Sequence, residues 1–279
     1  MFSLTLRASS TGPASGEQHR GGLYDSSKTR VAPVFDQLRI HRGDWVRELI
    51  SLATCGSSNA VSQSQGDLTF IDGYWGEEER GLNPPPSLLS WLIRNLQPPI
   101  GATSINAKRQ ALLARDPSVT EEALRLLDGE KNSRAWYIFE GLTFPDALLV
   151  TPDALVVVEG KRTEPGPTTA TTWLQGRHQI WRHIEAAWEI REARRVYGLF
   201  IVEGNGSADV PELWKAAMRD ATSPAVLASS FPHRTTEERQ ALANCMLGVT
   251  TWQCVCATFG IDYSKLPDKV SDIQRAREL

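Results

Sequence analysis

A chain of 279 residues with 41% hydrophobic and 23% charged residues suffices for one large domain, or for a domain with an elaborated flank, and has an ordinary globular composition. Lys and Arg number 30 against 33 Asp and Glu, a net charge of -3, which excludes a polycation that coats nucleic acid but leaves room for one basic groove. Four cysteines (Cys55, Cys245, Cys254, Cys256) without a C-x-x-C pair read as buried thiols in a reducing, cytoplasmic compartment, not as a disulfide framework or metal cage.

Residues 1–30 are Ser/Gly-rich and unpatterned, which predicts a flexible N-terminal arm, and neither a signal peptide nor a membrane span is expected. Residues 31–130 read as a helical region. GDWVRELISLAT from Gly43 has helical spacing with Asp44 as its cap, and further helices are predicted over Ser87–Leu96, Asn106–Arg115 and Thr120–Asp128. From about residue 131 the texture changes to a core that runs to residue 279. Ala135–Glu140, Asp146–Val150 and Ala154–Lys161 are short, rich in β-formers and separated by turn residues. A long helix is expected from Thr172 to Arg194, with Ile180, Ile184, Ala187 and Trp188 on one stripe. A strand follows at 196–204, then a helix over 210–221, a strand at 225–231 and a helix over 236–252.

The stretch between Phe144 and Glu164 reads FPDALLVTPDALVVVEGKRTE. A hairpin turning at Thr151-Pro152-Asp153-Ala154 suits proline and aspartate at the two central positions. It sets Asp146 opposite Glu159, about 4.5–5.5 Å apart at Cβ, and the pleat puts Lys161 on the same face. Asp153 lies six residues from Glu159 along one strand, about 20 Å, so the second Pro-Asp is a turn and the first carries chemistry. Glu140 faces Asp146 if the connection 141–145 is centred on Thr143, and a shift of one residue sends it to the other face.

Two carboxylates and an amine at the open end of an apolar hairpin suit phosphodiester hydrolysis. Asp146 and Glu159, with the carbonyl of Gly160 and with Glu140 as a third carboxylate, would hold Mg²⁺ or Mn²⁺. Lys161 would orient or deprotonate water and offset charge on the attacked phosphate. Arg162 and Arg177 are candidates for phosphate contact, whereas Arg182 reads as part of a salt-bridged outer face with Glu185 and Glu189.

At these residues the sequence resembles the PD-(D/E)XK nuclease superfamily. Pro145-Asp146 and Glu159-x-Lys161 supply the motif, and the order strand, strand with Asp, strand with E-x-K, crossover helix, strand is the same. The resemblance implies a restriction-endonuclease-like α/β (α+β) core, a mixed sheet of four to five strands flanked by helices, with a helical N-terminal elaboration. It also implies a catalytic Gln179 on the crossover helix, with His183, a candidate for substrate contact, where the family often has tyrosine, and a glutamate from an N-terminal helix (Glu48, Glu121 or Glu122). The implied activity is a Mg²⁺- or Mn²⁺-dependent nuclease with DNA, before RNA, as partner. The alternatives are a catalytically silent binding or scaffold module of the same fold, and a phosphohydrolase using the Gly-rich EGNGSAD from Glu203. Oligomeric state is not set by the sequence, and a dimer is among the options.

Overall fold

Runs of Val, Leu and Ile at 147–150, 154–160 and 195–202 have no polar alternation, as suits strands covered on both faces. In the computed structural model they are the middle of one mixed sheet. The structure describes residues 24–41, 43–55, 66–78, 80–101, 104–129 and 134–278, and most of the expected arm therefore lies outside the described residues.

The strands are β1 (Thr54–Cys55), β2 (Asp72–Trp75), β3 (Ala147–Val150), β4 (Ala154–Gly160), β7 (Arg195–Val202) and β8 (Met246–Thr251), in spatial order β1-β8-β7-β4-β3-β2. β2, β3 and β4 form an antiparallel meander. β7 lies parallel to β4, β8 parallel to β7, and β1 antiparallel to β8. A separate two-stranded ribbon pairs β5 (Ala170–Thr171) with β6 (Leu174–Gln175). The sheet is thus one or two strands wider than expected. Region 31–130 is not purely helical, because it contributes both edge strands.

Helices cover both faces. A π-helical turn (Ser27–Val31), α1 (Ala32–Arg39), α2 (Trp45–Ser51) and α10 (Trp252–Phe259) bury Phe35, Leu49 and Trp252 against Leu149, Val156, Val158 and Ile201. α6 (Gln179–Ile190), α7 (Glu212–Ala221) and α8 (Pro224–Ser230) bury Ile180, Trp181, Ile184 and Trp214 against Leu148, Val157 and Phe200. Gly198 gives α6 its close approach, since a Cβ there would collide with the Ile184 side chain. A third cluster joins α3 (Pro86–Asn95), α4 (Ala107–Leu113) and α5 (Pro117–Asp128) to Tyr137, Phe139 and Trp173. α9 (Thr236–Ala243) and α11 (Val270–Glu278) complete the described chain. Among the described residues no helix is long and apolar enough to cross a membrane.

Several expected elements change type for local reasons. Residues 135–140 form turns, not a strand: Arg109 donates to the carbonyls of Trp136 (2.8 Å) and Ile138 (3.3 Å), and β2 takes the place beside β3. The crossover helix starts at Gln179, not Thr172, because Gly176 sits at φ +74° and interrupts the helical path. The expected strand at 225–231 is instead helical through Ser230, started by Pro224 and capped by the Ser223 hydroxyl (3.4 Å to the Val226 N–H). The expected last helix ends at Ala243, and MLGVTT becomes β8. Asp44 does not cap α2, since its carboxylate accepts from Arg47 Nε at 2.6 Å.

Candidate active site

The hairpin closes where the sequence places it, with Thr151 N–H donating to the Ala154 carbonyl at 2.9 Å and Ala154 N–H to Thr151 Oγ1 at 2.8 Å. Ala147 lies opposite Val158 and Val150 opposite Leu155, so one further step sets Asp146 opposite Glu159 on the face that α6 covers. Asp153 is structural, as expected: its Oδ2 accepts from Asp67 N–H at 2.7 Å, at the far end of the strand.

Asp146 is 9% exposed, and both of its oxygens are engaged. Ser27 Oγ–H donates to Oδ1 at 2.7 Å, and Gly160 N–H donates to Oδ2 at 2.8 Å. Burial, and then the neighbouring Glu159 charge, push the Asp146 carboxyl well above the ordinary carboxylate range despite Ser27, Lys161 and that N–H. Gly160 cannot be larger, because a Cβ would stand 2.7 Å from Val31 Cγ2 and 2.8 Å from Trp252 Cζ2.

Glu159 is 2% exposed and bridges two cationic or donor groups. Its Oε1 lies 2.8 Å from Lys161 Nζ and its Oε2 lies 3.0 Å from His183 Nε2. Burial alone would raise this carboxyl, but Lys161 and His183 outweigh it and hold Glu159 below its ordinary value. Burial likewise works to lower Lys161, and Glu159 and Asp146 overcome it, so the amine is held as ammonium above its usual range. Lys161 is therefore held as a positive charge beside Glu159. The Glu159–His183 contact is close but poorly aligned, and both atoms keep unused hydrogen-bonding capacity in a buried setting.

Other expected site residues are elsewhere engaged. Glu140 does not join Asp146. It accepts from Arg177 Nη2 at 3.0 Å and Nε at 3.2 Å, with Arg182 Nε at 3.6 Å. Arg177 is fully buried, pairs also with Glu185 at 2.8 Å, and so offers nothing to a phosphate. Arg182 stands against Glu140 and not on a solvated face, while Glu185 and Glu189 are held by Arg234. Arg162 is directed to Asp268 (3.0 Å) and Glu203 (3.4 Å). His183 is buried inside the site and is no surface contact for substrate. Gln179 is half-buried one helical turn before it, with its backbone N–H on the Thr168 carbonyl at 2.9 Å. Glu48 and Glu121 are exposed and Glu122 pairs with Lys108, so the N-terminal helical segment brings Ser27 to Asp146 and no described glutamate. Ser27 and Thr143 are the participants that sequence reasoning missed, and both act through contacts 119 and 40 residues distant that no local pattern signals.

Among the described residues no group of three or more His, Cys, Asp or Glu forms a ready metal cage. The donor set at Asp146 and Glu159 nonetheless fits a hard divalent cation. Two carboxylates share a buried end of the sheet, and one oxygen of Glu159 has spare hydrogen-bonding capacity. The thiols of Cys245 and Cys256 are pushed by burial up to about 12 and about 11, as befits structural cysteines. The Gly204 N–H is taken by Gln253 Oε1 at 3.0 Å, which leaves EGNGSAD no phosphate-cradling role at that amide.

No family model matches the chain, and no curated protein or solved structure matches it at a meaningful level.

Proposed function

We propose that the protein is a metal-dependent nuclease with a restriction-endonuclease-like core, of the PD-(D/E)XK kind, hydrolysing phosphodiester bonds of nucleic acid, with DNA as first substrate class. The observation that carries this reading is the convergence of Asp146, Glu159 and Lys161 at one end of a meander, followed by a helix and a parallel strand.

Asp146 and Glu159 would hold Mg²⁺ or Mn²⁺, with the Gly160 carbonyl beside them. When bound, such an ion lowers the pKa of a coordinated water and offsets charge that builds on phosphorus. Lys161, kept protonated by Glu159, faces the attacked phosphate as a point charge and stabilises its extra negative charge as the leaving oxygen departs. Gln179, one helical turn before His183 on α6, would orient water or a phosphate oxygen.

One observation favours a second reading, a catalytically silent module. Both oxygens of Asp146 are hydrogen-bonded within the chain, so the site is self-satisfied on that side. Purified protein incubated with Mn²⁺ or Mg²⁺ and circular duplex DNA, single-stranded DNA or RNA separates the two. Cleavage that K161A loses while keeping its thermal midpoint is the expected result. Wild-type protein that cuts no polymer under either metal selects the silent module.

A further inference from the structure

Three buried side chains from three elements form a line into the site. Thr143 comes from the loop before β3, His183 from the second turn of α6, and Glu159 from β4. Thr143 Oγ1 lies 2.7 Å from His183 Nδ1, and His183 Nε2 lies 3.0 Å from Glu159 Oε2. A carboxylate only accepts, so Nε2 carries the proton that faces it, and in the neutral ring Nδ1 then accepts from the Thr143 hydroxyl.

Both ends of the line are anchored. Thr143 exchanges backbone hydrogen bonds with Leu82 in both directions (2.8 and 2.9 Å), and His183 rides on a helix whose Ile180 and Ile184 are in the core. Lys161 holds only the other oxygen of Glu159. The 3.0 Å contact is not aligned as a hydrogen bond, so both atoms are buried with capacity to spare, and removing His183 takes away a donor group set against Oε2 and leaves the carboxylate freer to turn about its last bond.

We propose that His183, itself oriented by Thr143, is a positioning residue that fixes the Glu159 carboxylate for the cation. This rests on the nuclease reading above and adds two residues to it. Ligand-orienting partners of this kind typically govern metal affinity by about 10–100-fold. Neither residue touches substrate.

Asparagine and glutamine at position 183 discriminate, since a glutamine amide reaches the place of Nε2 and an asparagine amide reaches only that of Nδ1. Mn²⁺ binding to the full chain is measured by calorimetry without nucleic acid, with DNA cleavage alongside and thermal midpoints in EDTA as the folding control. H183N is expected to bind Mn²⁺ about 10–100-fold more weakly than wild type. H183Q should recover most of that loss. T143V should weaken binding in the same direction and T143S should not, which keeps the proposal testable if H183N fails to fold. Wild type that binds Mn²⁺ and cuts DNA while H183N and T143V match it overturns this inference alone. Equal losses in H183Q and H183N, or in T143S and T143V, overturn it too, because a merely structural role predicts them. Wild type that neither binds nor cuts overturns the function and the inference together.

Discussion

Asp146 is the residue at which stability and chemistry oppose each other. Its carboxyl lies above its unfolded value, so it favours the fold at low pH and burdens it once pH rises through the folded value. D146N is therefore expected to raise stability at neutral pH in EDTA by about 0.5–2 kcal/mol, with the gain shrinking on acidification, while cleavage disappears. Thermal melts across pH check this, and a fall in midpoint at every pH contradicts it. Gly160 tests the opposite face of the same strand. G160A places a methyl group against Val31 and Trp252 and should cost about 1–3 kcal/mol, part of which V31A restores by vacating one side. Denaturant titration of the two variants and their combination reads the coupling directly. Asp146, Glu159 and Lys161 were legible in the sequence because a hairpin register is fixed by its turn. Glu140 was not, because a loop separates it from β3, and a buried arginine claims it.

At the scale of elements, α6 does two jobs. Its apolar stripe seals the sheet, while Glu185 on the same helix anchors a buried ionic cluster of Arg177, Glu140, His233 and Arg234. Removing one member leaves others buried and unpaired, so R177M should destabilise by roughly 3–5 kcal/mol in urea unfolding. Burial opposes ionisation of Glu185, but Arg177 and then His233 and Arg234 prevail and hold its pKa at about 2, below the usual 4.5. Its contribution is complete above about 4.5 and drains away as pH falls toward 2, so E185Q should flatten the acid limb of the stability curve. An unchanged acid limb would remove Glu185 from the explanation. The helix periodicities of α3, α5 and α7 were readable because each buries one consistent face, and the runs of β3, β4 and β7 because they are apolar throughout and covered on both faces. β2 and β8 escaped. Asp72–Trp75 has only four residues with a glycine among them, and Met246–Thr251 follows a capped helix without a turn signature, so tertiary pairing and not local pattern makes both into strands.

Across the whole molecule, the sheet is completed from both ends of the chain, and the N-terminal segment crosses the open end where the acids gather. Ser27 touches Asp146, Val31 packs on Gly160, and Arg30 pairs with Glu203 at 3.1 Å beside the Pro267 carbonyl. Helical elaboration α3–α5 forms its own apolar cluster with Phe139 and Trp173, whose ring centroids lie 5.2 Å apart. Crystals grown in Mn²⁺, with anomalous difference density calculated at the manganese edge, test the central claim most directly. A peak between the carboxylates of Asp146 and Glu159, absent in D146N, is the result predicted. Full manganese occupancy elsewhere, with no density at that pair, contradicts it.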